Sequence, residues 1–333
     1  MRKLLLAALP LISLPALAHH GVAGVGGAAL EGPGATIESA SSAVLPEGST
    51  LLLLKTDYAR FKRGRLDPSE AEGEYSRFDM LGIGYGVTSW FSGYLFVPHN
   101  IKQDEPGGFR TSGWADVSVL GQIGFRYDGS GFSLVPKTES LDELEDWRFT
   151  VFGGGTLPTG RPNYRLPDGS IDAGMSTGFG KPSYTLGLTA TKQLTSKLTF
   201  NAEFSGIRFQ TYRYDTDYTT GSAFTTRFGS ELRANAGLAY RVHANAEQKL
   251  RADLIMELQY LRLGRDEMDG VPERGTGGKM AYAVPGVRLY WDRFSVAFGV
   301  KTPIWKRLNE QSEQQGAEGL EKYRLLLSAS MLF

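Results

Sequence analysis

The chain has 333 residues, with 36 basic and 36 acidic side chains, a formal net charge of zero and no cysteine. Neutrality argues against nucleic acid as a partner, because phosphate binding depends on an excess of lysine and arginine. The missing thiols exclude disulfides, cysteine-held metals and a lipid-modified cysteine, in a chain rich in glycine (42), phenylalanine (18) and tyrosine (15).

In chain order, residues 1–18 predict a signal peptide. Arg2 and Lys3 precede the apolar run Leu4–Leu14, and Ala16 and Ala18 supply a small-residue cleavage site. Pro10 and Pro15 interrupt the run, which is too short to span a bilayer as a helix. Cleavage would leave His19 with a free amine beside His20, the metal-binding candidate of the sequence. Copper and zinc favour such nitrogens, but a two-residue terminus lacks surrounding groups to orient it. No cofactor is expected. Residues 19–49 are rich in Gly, Ala and Ser without a hydrophobic period, and read as a periplasmic arm or a plug in a barrel mouth. Beyond the leader no apolar run reaches the length of a transmembrane helix. Only helices and closed barrels satisfy their backbone groups in lipid, so an exported chain of alternating strands predicts an outer-membrane barrel.

Residues 50–333 predict that barrel: all-β, transmembrane, antiparallel and up-and-down, with about twelve strands. The strands fall near 50–60, 74–88, 90–98, 113–127, 147–157, 183–194, 197–209, 229–243, 251–264, 278–290, 293–303 and 323–333. Tight turns at Thr88–Trp90, Leu194–Lys197 and Trp291–Arg293 alternate with long polar loops, as periplasmic turns and extracellular loops do. An even count places both termini in the periplasm. The connection 128–146 breaks the alternation, and its Ser140 and Glu143 form a capping box that predicts a small periplasmic helix.

Charges mark the inner parity, since one on the lipid face near midplane costs about 2–4 kcal/mol. They place Glu203, Glu231, Arg233, Arg241, Asp253 and Glu257 in the lumen, as a constriction along a selective path or as a sealing salt-bridge network. In the strand near 278–290 the parity slips at Pro285–Gly286, which predicts a bulge. Trp90, Phe91, Trp147, Trp291, Phe294 and Phe333 sit at turn-side strand ends, as an aromatic girdle would. Tyr212, Tyr214 and Tyr218 share one outer loop, either to stack on aromatic solutes or to form an interfacial belt against lipopolysaccharide. The last strand alternates from Tyr323 through Met331 to a terminal Phe333, and an open edge there would invite aggregation. It is expected to close against the first strand and to carry the signal read by the outer-membrane insertion machinery.

Several stretches carry a family likeness: "SSAVLPEGSTLLLLKTDYARF", "TSGWADVSVLGQIGFRY", "FTVFGGGTLPTGRP", "TGFGKPSYTLGLTATKQL" and "LRANAGLAYRV". Over about residues 40–333 the chain resembles the outer-membrane transporter family named after the meta-cleavage pathway of phenol degradation (phenol MetA type). Leu157–Pro158–Thr159–Gly160 is the sharpest match. The resemblance implies passage of small aromatic or hydrophobic solutes and brings no catalytic residues. Partners are then membrane lipid, lipopolysaccharide and the solute, with passage driven by the solute gradient because no nucleotide-binding motif is present. Two rivals remain. One is a structural barrel with a closed, salt-bridged lumen. The other is an outer-membrane lipid hydrolase, for which His99 beside Asn100 is the best-placed base.

Overall fold

A computed structural model of the protein describes residues 34–61, 75–103, 109–137, 146–310 and 321–333. The leader, His19 and His20, and the predicted helix around Ser140 and Glu143 lie outside the described residues. The strands in chain order are β1 (Thr50–Phe61), β2 (Tyr75–Thr88), β3 (Phe91–Gln103), β4 (Arg110–Trp114), β5 (Val117–Tyr127) and β6 (Phe132–Leu134). Next come β7 (Trp147–Leu157), β8 (Ser183–Thr195), β9 (Leu198–Arg208), β10 (Tyr212–Arg213), β11 (Thr225–Arg227) and β12 (Glu231–Asn245). The last are β13 (Leu250–Leu263), β14 (Glu267–Met268), β15 (Val271–Pro272), β16 (Gly278–Trp291), β17 (Phe294–Leu308) and β18 (Glu321–Leu332).

Twelve long strands make a closed antiparallel barrel, with each strand beside its chain neighbours. The two ends of the chain meet as the alternating last strand predicts. β18 pairs β1 in register from Leu51↔Leu332, and Thr50 and Phe333 exchange both backbone hydrogen bonds. No sheet edge is left open there. Period two decides the faces. On β18 Leu325, Leu327 and Phe333 are exposed toward lipid, while Arg324, Leu326, Ser328 and Ser330 are buried. On β13 Leu254, Met256 and Leu258 face out, opposite buried Asp253, Glu257 and Gln259.

Two sequence expectations need correction. The strand expected at 113–127 is two pieces, β4 and β5, because Ala115 and Asp116 form a bulge opposite Pro98. β16 has no bulge at Pro285–Gly286: its register to β13 runs unbroken through Met256↔Pro285 and Ile255↔Gly286. Its ladder to β17 pauses around Pro285, which has no N–H, and the true shift lies opposite, between the partners of Ala281 and Tyr282. The misreading has a physical cause. Met280, Tyr282 and Val284 point inward, so lumen and lipid faces are both apolar here and hydrophobicity cannot separate them. The described start of the connection after β5 folds back as β6, which pairs β5 from Phe125↔Leu134. The outer loops contribute a small separate sheet, β10-β11-β14-β15.

Candidate functional site: the lumen and its two closures

Residues 34–45 run inside the barrel. Both ends of this segment touch the wall near the tight turns: Asn201 Nδ2 donates to Gly34 O (2.7 Å), and Leu45 N donates to Ser92 Oγ (2.9 Å). Between them the chain rises to mid-depth and returns. At its crest Ile37 N, Glu38 N (2.9 Å) and Ser39 N (3.2 Å) all donate to the Glu257 carboxylate, joined by Ser39 Oγ (2.7 Å). Ala40 N donates to Glu203 (2.8 Å), Arg288 donates to Thr36 O (2.7 Å), and Ser42 meets Thr189 and Thr191. Irregular backbone survives at membrane depth only where the protein itself satisfies it. Here the wall does so residue by residue. Glycines make the room: a Cβ on Gly237 would stand 2.5 Å from Thr36, and one on Gly286 2.8 Å from Ile37.

Glu38 is the segment's one charged side chain, and it enters a buried ionic cluster. Lys301 Nζ lies 2.7 Å from one carboxylate oxygen and Lys55 Nζ 3.4 Å from the other. Beside them Arg324 bridges Asp57 (3.1 Å) and Glu321 (2.7 Å).

The adjoining wall, from β1 round to β7, is apolar. Leu51, Leu53, Met80, Tyr94, Phe96, Leu120 and Phe152 form one buried cluster with Ala40, Ala43 and Leu45 of the inner segment. Its rings lie flat. Tyr94 pairs in register with Gly84, Phe96 with Gly82 and Phe152 with Gly187. A Cβ on those glycines would come within 2.6, 2.8 and 2.3 Å of the rings. Each ring thus covers its neighbour's backbone instead of projecting into the lumen, and Tyr94 and Phe96 stack at 6.1 Å and 2°. Space that the rings leave is taken by the inner segment.

The loop end carries a second closure, residues 158–182 between β7 and β8. The bulge between β4 and β5 turns Asp116 inward, where it accepts Gly160 N and Phe179 N, both at 2.8 Å, and so ties the two ends of the loop together. Across the mouth Lys102 Nζ donates to Gly174 O and Ser176 O, and Thr111 Oγ1 to Met175 O (2.7 Å). Phe179 packs against Phe209 and Phe228 on the far side. Met175 is buried.

The six lumen charges chosen from sequence do face inward, but they stand at three depths and form no single ring. Arg251 pairs with Asp253 (2.6 Å) near the turns, and Arg233 with Glu231 (2.5 Å) toward the loops. Glu203 and Glu257, at mid-depth, bind the inner segment. Among the described residues, Arg241 Nε, near the turns, has no hydrogen-bond partner. The tyrosine loop also divides. Tyr214 is buried and stacked on Phe224 (4.8 Å), Tyr212 meets Tyr214 edge-on (5.0 Å), and Tyr218 is exposed under Arg165 (3.7 Å). A three-tyrosine capture surface is therefore not what the loop presents. Tyr323, Met331 and Phe333 stand on the outer face of β18. His99 lies on the lipid side against Trp114 (5.4 Å), with Ser112 Oγ 3.4 Å from its Nε2. Its register partner Asp79 is engaged by Arg77 and Thr56, and among the described residues no carboxylate is hydrogen-bonded to the ring. Asp116, Glu38 and Lys301 escaped sequence reading. A bulge has no reliable pattern, and a segment without period gives no hint of which residue points where.

The barrel, its inward charges and its inserted segment place the protein in the fold class of outer-membrane β-barrels. No protein-family profile and no curated protein matches the chain. Among solved structures it resembles the COG4313 outer membrane channel from Pseudomonas putida F1, at TM-score 0.62 and 13% identity, covering 88% of this chain and 98% of that one. The NanC porin superposes more loosely (TM-score 0.44, 9% identity, 84% and 98% covered), as does the TodX deltaS2S3 mutant monoaromatic hydrocarbon channel (TM-score 0.37, 11% identity, 86% and 90% covered).

Proposed function

We propose that the protein is a gated, passive channel of the outer membrane for small, mainly hydrophobic or aromatic solutes. The structure is its closed state. Residues 34–45 act as the plug and residues 158–182 as the outer lid. The observation that carries this reading is the aromatic–glycine wall: Tyr94, Phe96 and Phe152 lie flat on Gly84, Gly82 and Gly187, and give an apolar surface along which such a solute can slide. A purely structural barrel could fill its lumen with the wall's own side chains, as small barrels do. The family likeness of the sequence points to the same solute class. In this reading Phe333 addresses the insertion machinery, the turns face the periplasm, and the solute gradient supplies the drive.

The test is uptake of a phenolic compound by cells that lack other routes. Uptake is expected to rise with the protein and to fall severalfold when Tyr94 and Phe96 are both replaced by alanine. Unchanged uptake with altered membrane integrity favours the sealed structural barrel.

A further inference from the structure

Lys55, Lys301 and Arg324 stand on three adjacent strands, β1, β17 and β18, and Lys301 and Arg324 are register partners. The wall supplies two carboxylates to this group, Asp57 and Glu321, and Arg324 engages both. Among the described residues, the carboxylate that meets Lys55 and Lys301 comes from the plug, through Glu38. Without Glu38 three buried cations, Lys55, Lys301 and Arg324, would share the two wall carboxylates, leaving one positive charge in excess beside the lumen, a costly state in a low dielectric. The anion site therefore belongs to the wall, and the plug merely fills it. The same site adjoins apolar surface. Lys55 pairs in register with Met80, which clusters with Tyr94, Phe96 and Phe152, and Lys301 Nζ lies 4.6 Å from the centre of the Tyr282 ring.

We infer that Glu38 is an internal stand-in for cargo, and that the cargo is a small carboxylate with an apolar, preferably aromatic, body. Its anion replaces Glu38 at Lys55 and Lys301, and its body lies on the Met80–Tyr94–Phe96 wall. The exchange trades one carboxylate for another, so no buried lysine is left unpaired. It also explains why the plug's single charge points at this cluster. The inference rests on the channel reading and names the charge of what that channel carries.

Equilibrium binding tests it without requiring transport. Benzoate and uncharged benzyl alcohol are titrated against the detergent-solubilised full chain by ligand-observed NMR, with heat-modifiable gel mobility confirming each variant's fold. Glu38→Gln removes the competitor and is expected to bind benzoate at least tenfold tighter than the native chain, with benzyl alcohol unchanged. Adding Lys301→Gln should abolish the gain, and Lys301→Arg should keep it. Equal benzoate affinity in the native and Glu38→Gln proteins, or equal gains for both probes, overturns the inference. Bilayer conductance on the same preparations separates the two readings. Tight benzoate binding by Glu38→Gln in a barrel that never conducts keeps the carboxylate site and removes the channel.

Discussion

The two closures share one means and differ in a second. The plug is bound through its backbone, with Glu203 and Glu257 on the wall accepting N–H groups of Ile37, Glu38, Ser39 and Ala40. The lid is also held through its backbone, by Asp116 at its root and by Lys102 and Thr111, but it adds the packing of its Phe179 against Phe209 and Phe228 of the neighbouring wall and loop ends. A backbone-bound segment needs small residues more than particular ones, which fits its Gly-, Ala- and Ser-rich composition. Ile37, Glu38, Val44 and Leu45 are the exceptions that fix its position. A lid packed through side chains has to be shaped residue by residue. The difference suits a plug that leaves and re-enters as a unit, beside a lid that stays.

The largest expected effect comes from Glu257. Replacing it with Leu removes the acceptor of three backbone N–H groups and one hydroxyl. Bonds to charged groups are worth about 1.5–3 kcal/mol each, so even partial loss should shift the plug's equilibrium by roughly a hundredfold. A cysteine placed at Ser39 reads this as thiol labelling, on a clean background because the chain has no cysteine. Labelling that stays as slow as in the native protein would show that the lid, not Glu257, protects the lumen.

Asp116→Asn sharpens the comparison from the other side. An amide offers one oxygen to two N–H groups that now share a carboxylate, so one loses its acceptor. Lys102, Thr111 and the Phe179 cluster remain, and the expected change is about tenfold faster hydrogen exchange at Gly160 and Phe179. The Ser39 position should not respond. If it does, the closures move together and the contrast between them fails.

How much of this was legible follows from the same physics. Strand alternation exposes the barrel because lipid and a charged lumen impose opposite chemistry on successive residues, as on β12 and β13. Closure of β18 on β1 follows from an apolar row ending at Phe333. The alternation fails where the lumen is itself apolar, at Met280, Tyr282 and Val284, and there the pattern predicts a bulge that the register lacks. It fails again at Asp116, where one extra residue reverses the facing. The Gly82–Phe96 and Gly84–Tyr94 pairs were present in "LGIGYG" and "GYLFV", but they become visible only when the hairpin register is known. The inner segment had no period to read, and its partners are all distant in sequence.

The smallest effect concerns pH at the outer mouth. Burial, with Asp266 and then Asp172 nearby, pushes the Glu273 carboxyl up to about 7. A raised carboxyl is neutral in the folded loop at a pH where the unfolded loop would already be charged. Its contribution to loop stability is therefore complete below the ordinary carboxylate range, near 4.5, and is lost as pH rises through about 7. Glu273 sits in the turn whose N–H donates to Asp266 O (2.7 Å) and whose carbonyl accepts from Thr276. Amide exchange at Glu273 and Thr276 should accordingly be slower at pH 5.5 than at pH 8, beyond the intrinsic pH dependence of exchange, by a factor of a few. Glu273→Gln should flatten that difference while leaving exchange at Gly160 unchanged. A native profile that already matches the glutamine variant would mean that the turn never senses the proton.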